Sequence, residues 1–445
     1  MLASPMTPDQ QQTALEYKLS ANQYFKTGEY QNAIEQYSLA ITQDSTDPSF
    51  FGNRAAAHFQ TANFGVALQD CVRALAISVN LPKIRIRAAK CNVHLGNLDE
   101  AEAQLSLALT VSVNESKLID EINREIASVE KLKNLLNVTK NLVDQNSHAA
   151  ALANIESIMI IVDPKLLGSG LPNSISRIAT SLVLQKIPIA WRILRGKCLA
   201  KLFDVDEASQ VAVGILRQDS RNPDALCLRA ETMHILDSHP HSTILQFLTQ
   251  CLTFDPDHNY ARLMLKRIKV LEAVKKEGNE AFKEQNYDLA IEKYDLLIAS
   301  GCEGVIKAKI LSNRATCYNK NSRIKETVDD CCAALSILDE ISFPKAWRTD
   351  KDSITSSDRG VCLSSPLYFK LYLRRADAHA KLEDFKESLK DYENAQAIKP
   401  QDPGTFKTNQ KWRKVLEMLR KHWKDHSEKI TTKFFKFHVA PATVR

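Results

Sequence analysis

Residues 30–34 read Tyr30-Gln31-Asn32-Ala33-Ile34, residues 64–68 read Phe64-Gly65-Val66-Ala67-Leu68, and residues 98–102 read Leu98-Asp99-Glu100-Ala101-Glu102. Ala33, Ala67 and Ala101 are spaced by 34 residues, and seven residues after each stands another alanine: Ala40, Ala74 and Ala108. Seven residues make two helical turns, so the two alanines of each pair share one helix face. Small residues at fixed helical positions, with a period longer than one helix, point to a repeated pair of helices. Alanine belongs where the two helices cross too closely for a larger side chain, and Tyr24, Tyr37 and Phe59 fill the wider gaps.

A period of 34 is that of tetratricopeptide repeats, and it returns downstream. Tyr287-Asp288-Leu289-Ala290 with Tyr294 gives one further repeat, and Asn313-Arg314-Ala315 with Cys331 and Ala334 gives another. Ala376, Phe385, Tyr392, Ala395 and Pro400 mark the last. The middle is looser: Ala149 to Ile155, then Trp191, Cys198, Leu199 and Ala208, then Ala225, Leu228, Ala230, Phe247 and Pro256. The expected fold is all-α: a solenoid of nine repeats in three trios, curling into a right-handed superhelix with a concave inner face. The trios are expected at residues 14–132, 133–262 and 263–403, after a disordered 1–13 and before a basic 404–445. Two segments interrupt the order. Asp163 to Ile187, with Pro164, Gly168, Gly170 and Pro172, reads as a connection between the helices of repeat four. Residues 341–366, with a Ser/Thr/Asp-rich centre, read as an exposed insertion in the last trio.

Composition agrees. With 13 Gly and 15 Pro in 445 residues, the tight turns of an all-β chain are missing, while 44 % hydrophobic residues is too many for disorder. The longest apolar run, Ile158 to Val162, is far short of the ~20 residues a membrane span needs. Met1 to Gln12 has neither the basic nor the apolar part of a signal peptide, so a cytoplasmic protein is expected, with the nucleus left open. Cys331 and Cys332 are adjacent, and no cysteine has zinc-ligand spacing. Cys71, Cys91, Cys198 and Cys227 lie among apolar helical residues, where a reduced thiol packs as a small hydrophobe. His58, His94 and His379 lack partners at catalytic spacing, and no phosphate loop, nucleophile elbow or His-Glu-x-x-His occurs. The chain is therefore expected to be no enzyme and to use no cofactor and no metal.

The informative residues are polar and sit where helix packing does not need them. Lys18 and Asn22 are four apart on one face of the first helix, Asn53 opens the next first helix, and Lys83 and Arg87, again four apart, open the third. Three successive first helices line the inner groove, so the five converge. Three cations and two amides with no carboxylate make an anion site. The terminal carboxylate of an extended peptide together with its C-terminal Asp side chain fits such a site best. The set recurs as Lys275, Asn279, Asn313, Lys370 and Arg374, with the last pair displaced by the insertion.

These residues resemble the carboxylate-clamp tetratricopeptide domains of heat-shock co-chaperones, whose Lys-x-x-Gly-Asn, Asn-Arg-Ala and Lys-x-x-x-Arg motifs stand here as quoted. Ala21 replaces the first glycine. The resemblance implies that Lys18, Asn22 and Asn53 hold the terminal carboxylate of a Glu-Glu-Val-Asp tail, with Lys83 and Arg87 on its acidic side chains. The second set does the same. The partners it implies are the C-terminal peptides of heat-shock protein 70 and heat-shock protein 90, with unfolded clients passed between them. Ala208-Ser209-Gln210-Val211-Ala212, Ile215 to Ser220 and Ala281 to Tyr287 extend the likeness to the DnaJ homolog subfamily C member seven family over about Ala14 to Glu428. That family continues into a J domain with a His-Pro-Asp loop. Here His239-Pro240-His241 is the nearest string, so the J domain is expected to be absent, naturally or by truncation. A repeat scaffold for another complex is the alternative, since repeat folds host many partners. The doubled clamp argues against adaptors that bind internal peptides.

Net charge adds a detail. Residues 404–445 hold eleven Lys/Arg and three Asp/Glu, so the +6 of the chain divides into +8 there and −2 before it. Trp412, Leu416, Leu419 and Trp423 at helical spacing predict a helix from Phe406 to Glu428 capping the last repeat. A basic amphipathic helix on a membrane or nucleic acid is the other reading. With no aromatic–basic motif beside it, neither nucleic acid nor stable membrane insertion is expected.

Overall fold

A computed structural model describes residues 8–112, 115–167, 183–342 and 366–398. Among them are eighteen α-helices and no strand. In chain order they are α1 (Pro8–Thr27), α2 (Tyr30–Gln43), α3 (Pro48–Gln60), α4 (Phe64–Ile77), α5 (Pro82–Leu95) and α6 (Leu98–Val111). Then come α7 (Ser116–Asp144), α8 (His148–Val162), α9 (Ile189–Lys201), α10 (Val205–Gln218), α11 (Pro223–Leu236) and α12 (His241–Phe254). The last six are α13 (Asn259–Lys283), α14 (Tyr287–Ala299), α15 (Gly304–Lys320), α16 (Ile324–Ser342), α17 (Pro366–Lys381) and α18 (Phe385–Ile398). They form nine consecutive pairs among the described residues, the architecture of an all-α tetratricopeptide solenoid.

Proline starts several first helices (Pro48 of α3, Pro82 of α5, Pro223 of α11, Pro366 of α17), where its missing N–H costs nothing. Asp47 caps α3 by accepting from the Ser49 N–H at 2.8 Å. Each of the nine turns inside a pair holds one residue of positive φ: Gly28, Ala62, Gly96, Asn146, Phe203, Asp237, Gln285, Ser322 and Glu383. The left-handed residue closes the helix by aiming the next N–H back at it, as from Asn63 N to His58 O at 2.9 Å and Asn97 N to Asn92 O at 2.8 Å.

Ala33, Ala40, Ala67, Ala74, Ala101 and Ala108 are all 0 % exposed, which places the 34-residue signal at the helix crossings. Ala55, Ala67, Cys71, Ala74, Ala88 and Cys91 make one apolar cluster across the second and third pairs. Ala290, Tyr294, Ile306, Ile310 and Cys317 do the same across α14 and α15.

The chain divides into two compact units, residues 1–202 with 206–229, and residues 203–205 with 230–445. Three expectations need correction. Residues 8–13 are helical, because Pro8 and Asp9 provide the start of α1. The edges at 132/133 and 262/263 fall inside α7, of 29 residues, and α13, of 25. A helix continues through each because neither Pro nor Gly stands there. The segment Asp163 to Ile187 follows α8 rather than dividing a pair: α7 and α8 are already joined by Gln145 to Ser147, with Asn146 left-handed. The expected capping helix and basic tail, and nearly all of the expected insertion, lie outside the described residues. No described helix is long and apolar enough to cross a membrane.

Candidate functional site

The first unit carries Lys18 and Asn22 on α1, Asn53 in the middle of α3, and Lys83 and Arg87 at the start of α5. Asn53 does not open its helix as the spacing suggested, but sits one turn in, because Pro48 begins α3. Asn22 Oδ1 accepts from the Tyr37 hydroxyl of α2 at 2.6 Å. That bond uses the amide's oxygen, leaving its two N–H donors for a ligand. Arg87 Nη1 donates to the Gly52 carbonyl at 2.6 Å, which ties α5 to the residue beside Asn53. Gly52 permits this approach: a Cβ there would lie 2.8 Å from Ile84 Cδ1. Lys18 Nζ donates to Ser49 Oγ at 2.7 Å, lies 3.7 Å from Asp47 and sits over the Phe50 ring. Lys83 is exposed and, among the described residues, has no ion-pair partner.

The second unit repeats this arrangement. Asn279 Oδ1 on α13 accepts from the Tyr294 hydroxyl of α14 at 2.9 Å. Arg374 Nη1 of α17 donates to the Ser312 carbonyl, beside Asn313 on α15, and to Ser312 Oγ at 2.6 Å. Asn313 Nδ2 also reaches Asn279 Oδ1 at 3.4 Å, a bond with no counterpart between Asn53 and Asn22. Lys370 is exposed, Lys275 is half-buried, and neither has an ion-pair partner among the described residues. Lys275 also lacks the acid that Lys18 has, because Lys307 and Lys309 take the places of Asp47 and Ser49.

Burial sets the chemistry. It pushes the Tyr294 phenol up to about 12 and raises that of Tyr37, against the pull of the Arg87 charge, so both stay protonated donors at neutral pH. Burial also lowers Arg374, without bringing an arginine near neutrality. The neighbouring arginines turn away from this chemistry. Arg54 grips Asp70 with two bonds of 2.7 Å, and Arg314 and Arg375 grip Asp330 and Asp391 in the same bidentate way. These pairs tie first to second helices. In Asn-Arg-Ala, the arginine holds the repeat together and the asparagine takes no part in that pairing.

Four supporting groups were not singled out from sequence as part of the site: the Tyr37 and Tyr294 hydroxyls and the Gly52 and Ser312 carbonyls. The tyrosines had a legible signal, since each follows its asparagine by 15 residues. A carbonyl has none. The glycine of the second motif, Gly278, is closely approached, a Cβ there lying 3.0 Å from Tyr294 Cε1. At the first site Ala21 occupies this place, fully buried, with the Tyr37 bond intact. Among the described residues no group of three or more His, Cys, Asp or Glu side chains is placed to hold a metal.

Two family models match the chain, "TPR repeat" over residues 21–61 and "Tetratricopeptide repeat" over residues 369–402. The chain is similar to the DnaJ homolog subfamily C member 7 homolog of Dictyostelium discoideum, 28 % identical over 92 % of this chain and 66 % of that one. Its likeness to DnaJ homolog subfamily C member 7 of Homo sapiens is 26 % identity over 85 % of this chain and 65 % of that one. The chain thus spans about two thirds of the length of the curated relatives it matches. Among solved structures, the tetratricopeptide domain of P58(IPK) covers 92 % of this chain and 99 % of its own, with a TM-score of 0.53 at 17 % identity, and shares the fold.

Proposed function

We propose that this chain is a non-enzymatic co-chaperone adaptor that holds the acidic C-terminal tails of heat-shock protein 70 and heat-shock protein 90 in its two clamps. One observation carries the reading: the same support recurs in both units. A buried tyrosine orients the first asparagine, an arginine from the third first-helix reaches the carbonyl beside the second asparagine, and an unpaired lysine stands one turn before that arginine. Packing alone does not require Lys83 and Lys370 to stand exposed at matching places, without an ion-pair partner among the described residues.

Chemically, the asparagine N–H groups fix the terminal carboxylate in direction, and the lysine and arginine charges meet the acidic side chains. Holding two tails on one chain brings two chaperones together, raising the chance that a client leaving one meets the other. The name of the relatives is consistent with a chaperone-linked role.

The test is calorimetric titration of a peptide ending in Glu-Glu-Val-Asp. Wild type is expected to bind two peptides per chain, Lys83→Glu or Lys370→Glu one, and the double variant none. Both lysines are exposed, so neither change should alter folding. Amidating the peptide's C-terminus should weaken both sites about tenfold or more, the worth of a charge-assisted bond. Two sites surviving in the double variant would refute the reading.

A further inference from the structure

Cys71 of α4 and Cys91 of α5 are free thiols, both fully buried. They lie in one apolar cluster with Ala67, Ala74 and Ala88, whose small side chains let the two helices approach closely. The thiols hydrogen-bond each other, Cys91 donating to Cys71, and the Arg87 charge acts on both. The donated bond lowers the Cys71 thiol against the effect of burial, and Arg87 lowers it further, while the same bond and burial raise Cys91. One sulphur is thus prepared to attack and the other to keep its proton. Arg87 stands one turn before Cys91 and is the clamp cation that donates to the Gly52 carbonyl.

The second unit keeps half of this pair. Cys71 follows Asn53 by 18 residues, as Cys331 follows Asn313, but four residues after Arg374, where Arg87 has Cys91, stands Ala378. Cys331 and Ala378 are both fully buried, and burial pushes the Cys331 thiol up to about 12, the state of an inert core thiol. Alanine therefore satisfies the packing at this place, and helix crossing alone does not call for a second cysteine in the first unit.

We propose that Cys71 and Cys91 are a reversible redox modification site, closed to a disulfide by hydrogen peroxide, which weakens the first clamp and leaves the second unchanged. The Cys71 thiolate attacks the peroxide and the O–O bond breaks, leaving a Cys71 sulfenic acid and a hydroxide that takes up the proton Cys71 had released. The Cys91 sulphur then attacks the Cys71 sulphur: the S–S bond forms, the S–O bond breaks, and hydroxide leaves with the Cys91 proton as a second water. Two electrons pass from the sulphurs to the peroxide. Because neither thiol is exposed, the oxidant enters through local opening of the helix pair, and the reaction is slow. Drawing the sulphurs from hydrogen-bond contact to a covalent bond pulls the Cys91 turn of α5 toward α4. Ile84 is packed so closely on Gly52 that α5 has no slack there, so Lys83 and Arg87 shift against the asparagines of α1 and α3. The modification stands on its own chemistry, and its effect on binding rests on the clamp reading above.

The test treats the full chain with hydrogen peroxide and reads it in two ways. Mass mapping of unreduced digests should find the Cys71 and Cys91 peptides joined with the loss of two hydrogens, and separate again after dithiothreitol. A fluorescent Glu-Glu-Val-Asp peptide reports affinity. In Lys370→Glu, where only the first clamp is left, peroxide should weaken binding about fivefold or more, and dithiothreitol should restore it. In Lys83→Glu, where only the second is left, peroxide should change nothing. Adding Cys91→Ala to Lys370→Glu installs the second unit's own residue, and should keep the reduced affinity while abolishing the response. Thiols that stay unlinked, or that go to separate sulfinic acids, overturn the site. A mapped Cys71–Cys91 bond with first-clamp affinity unchanged overturns its control of the clamp. Absence of carboxylate-dependent binding in the reduced protein overturns the clamp reading, while the mapped bond still decides for or against the site.

Discussion

Removing one hydroxyl from each clamp separates orientation from charge. Tyr37→Phe deletes the 2.6 Å bond to Asn22, and Tyr294→Phe the 2.9 Å bond to Asn279. Both phenols are protonated at neutral pH, so each change removes a full donor; the net cost to stability is about 1 kcal/mol. The cost to binding differs between the sites. Once Tyr37 is lost, nothing described fixes the Asn22 amide, and its N–H groups face the ligand only part of the time. Losing part of an oriented bond to a carboxylate, worth about 1 kcal/mol, weakens binding about fivefold. Asn279 keeps the 3.4 Å contact from Asn313, too long to be strong but enough to bias the amide, and about twofold is expected there. The assay is titration of the Glu-Glu-Val-Asp peptide with the other clamp silenced, beside urea denaturation of the same variants. Equal stability losses with no change in either affinity would show that the tyrosines serve packing alone. A larger affinity loss at Tyr294 than at Tyr37 would refute the role of the Asn313 contact.

Asp47→Asn keeps a residue able to cap α3 but removes the acid 3.7 Å from Lys18, so the first clamp should bind its peptide about two- to fourfold tighter at low salt, with less gain at high salt. Asp330→Ala strips Arg314 of its bidentate partner and leaves it only the more exposed Asp295, so urea denaturation should show a loss of about 2 kcal/mol. Gln285→Gly, at φ 61°, relieves left-handed strain of about 1–2 kcal/mol against a smaller gain in unfolded-chain entropy, and should raise the thermal midpoint; a fall would contradict the turn geometry. Burial, aided by the charges of His241 and Arg267, presses His234 down to about 4, while the unfolded imidazole titrates near 6.5. The unfolded chain therefore binds the extra proton between those values, and stability should fall by about 3 kcal/mol as pH drops from 7 to 4. Burial shifts His58 and His94 in the same direction. His234→Leu should flatten the urea-midpoint profile; an unchanged slope would count against the assignment.

The helix pairs were legible because alanine at a crossing has no alternative: a larger side chain at Ala67 or Ala101 would force the two helices apart. The turns were not, since only Gly28 and Gly96 of the nine left-handed positions carry the residue that announces one. Phe203 and Gln285 take that conformation because the packed helices on both sides impose it, a tertiary cause that local sequence does not record. The long α7 and α13 hid a related fact. A trio boundary read from periodicity is a change in what the helix faces, not a break in the chain, so no linker residue marks it.

At the two proposed clamps, types and spacing of side chains were readable but their division of labour was not. Arg374 and Arg375 are adjacent and chemically identical. Successive residues lie about 100° apart around a helix, so one reaches the Ser312 carbonyl by the clamp and the other the Asp391 carboxylate of α18. Only the partner 16 residues on distinguishes them: Arg54, Arg314 and Arg375 have an aspartate at that distance. Arg195 occupies the corresponding position in the middle repeats, but Val211 stands 16 residues later. Its side chain, only 2 % exposed, is held instead by Glu156 of the preceding pair at 3.0 Å and by Glu207 of its own. A buried charge must be paired, and when the usual acid is absent the fold recruits one from a neighbouring repeat. The middle repeats thus keep the arginine that binds helix to helix, while Leu194, one residue earlier, stands where Asn53 and Asn313 stand in the clamps. The same stretch of helix keeps its structural half there and gives up the half that the proposed clamps would use.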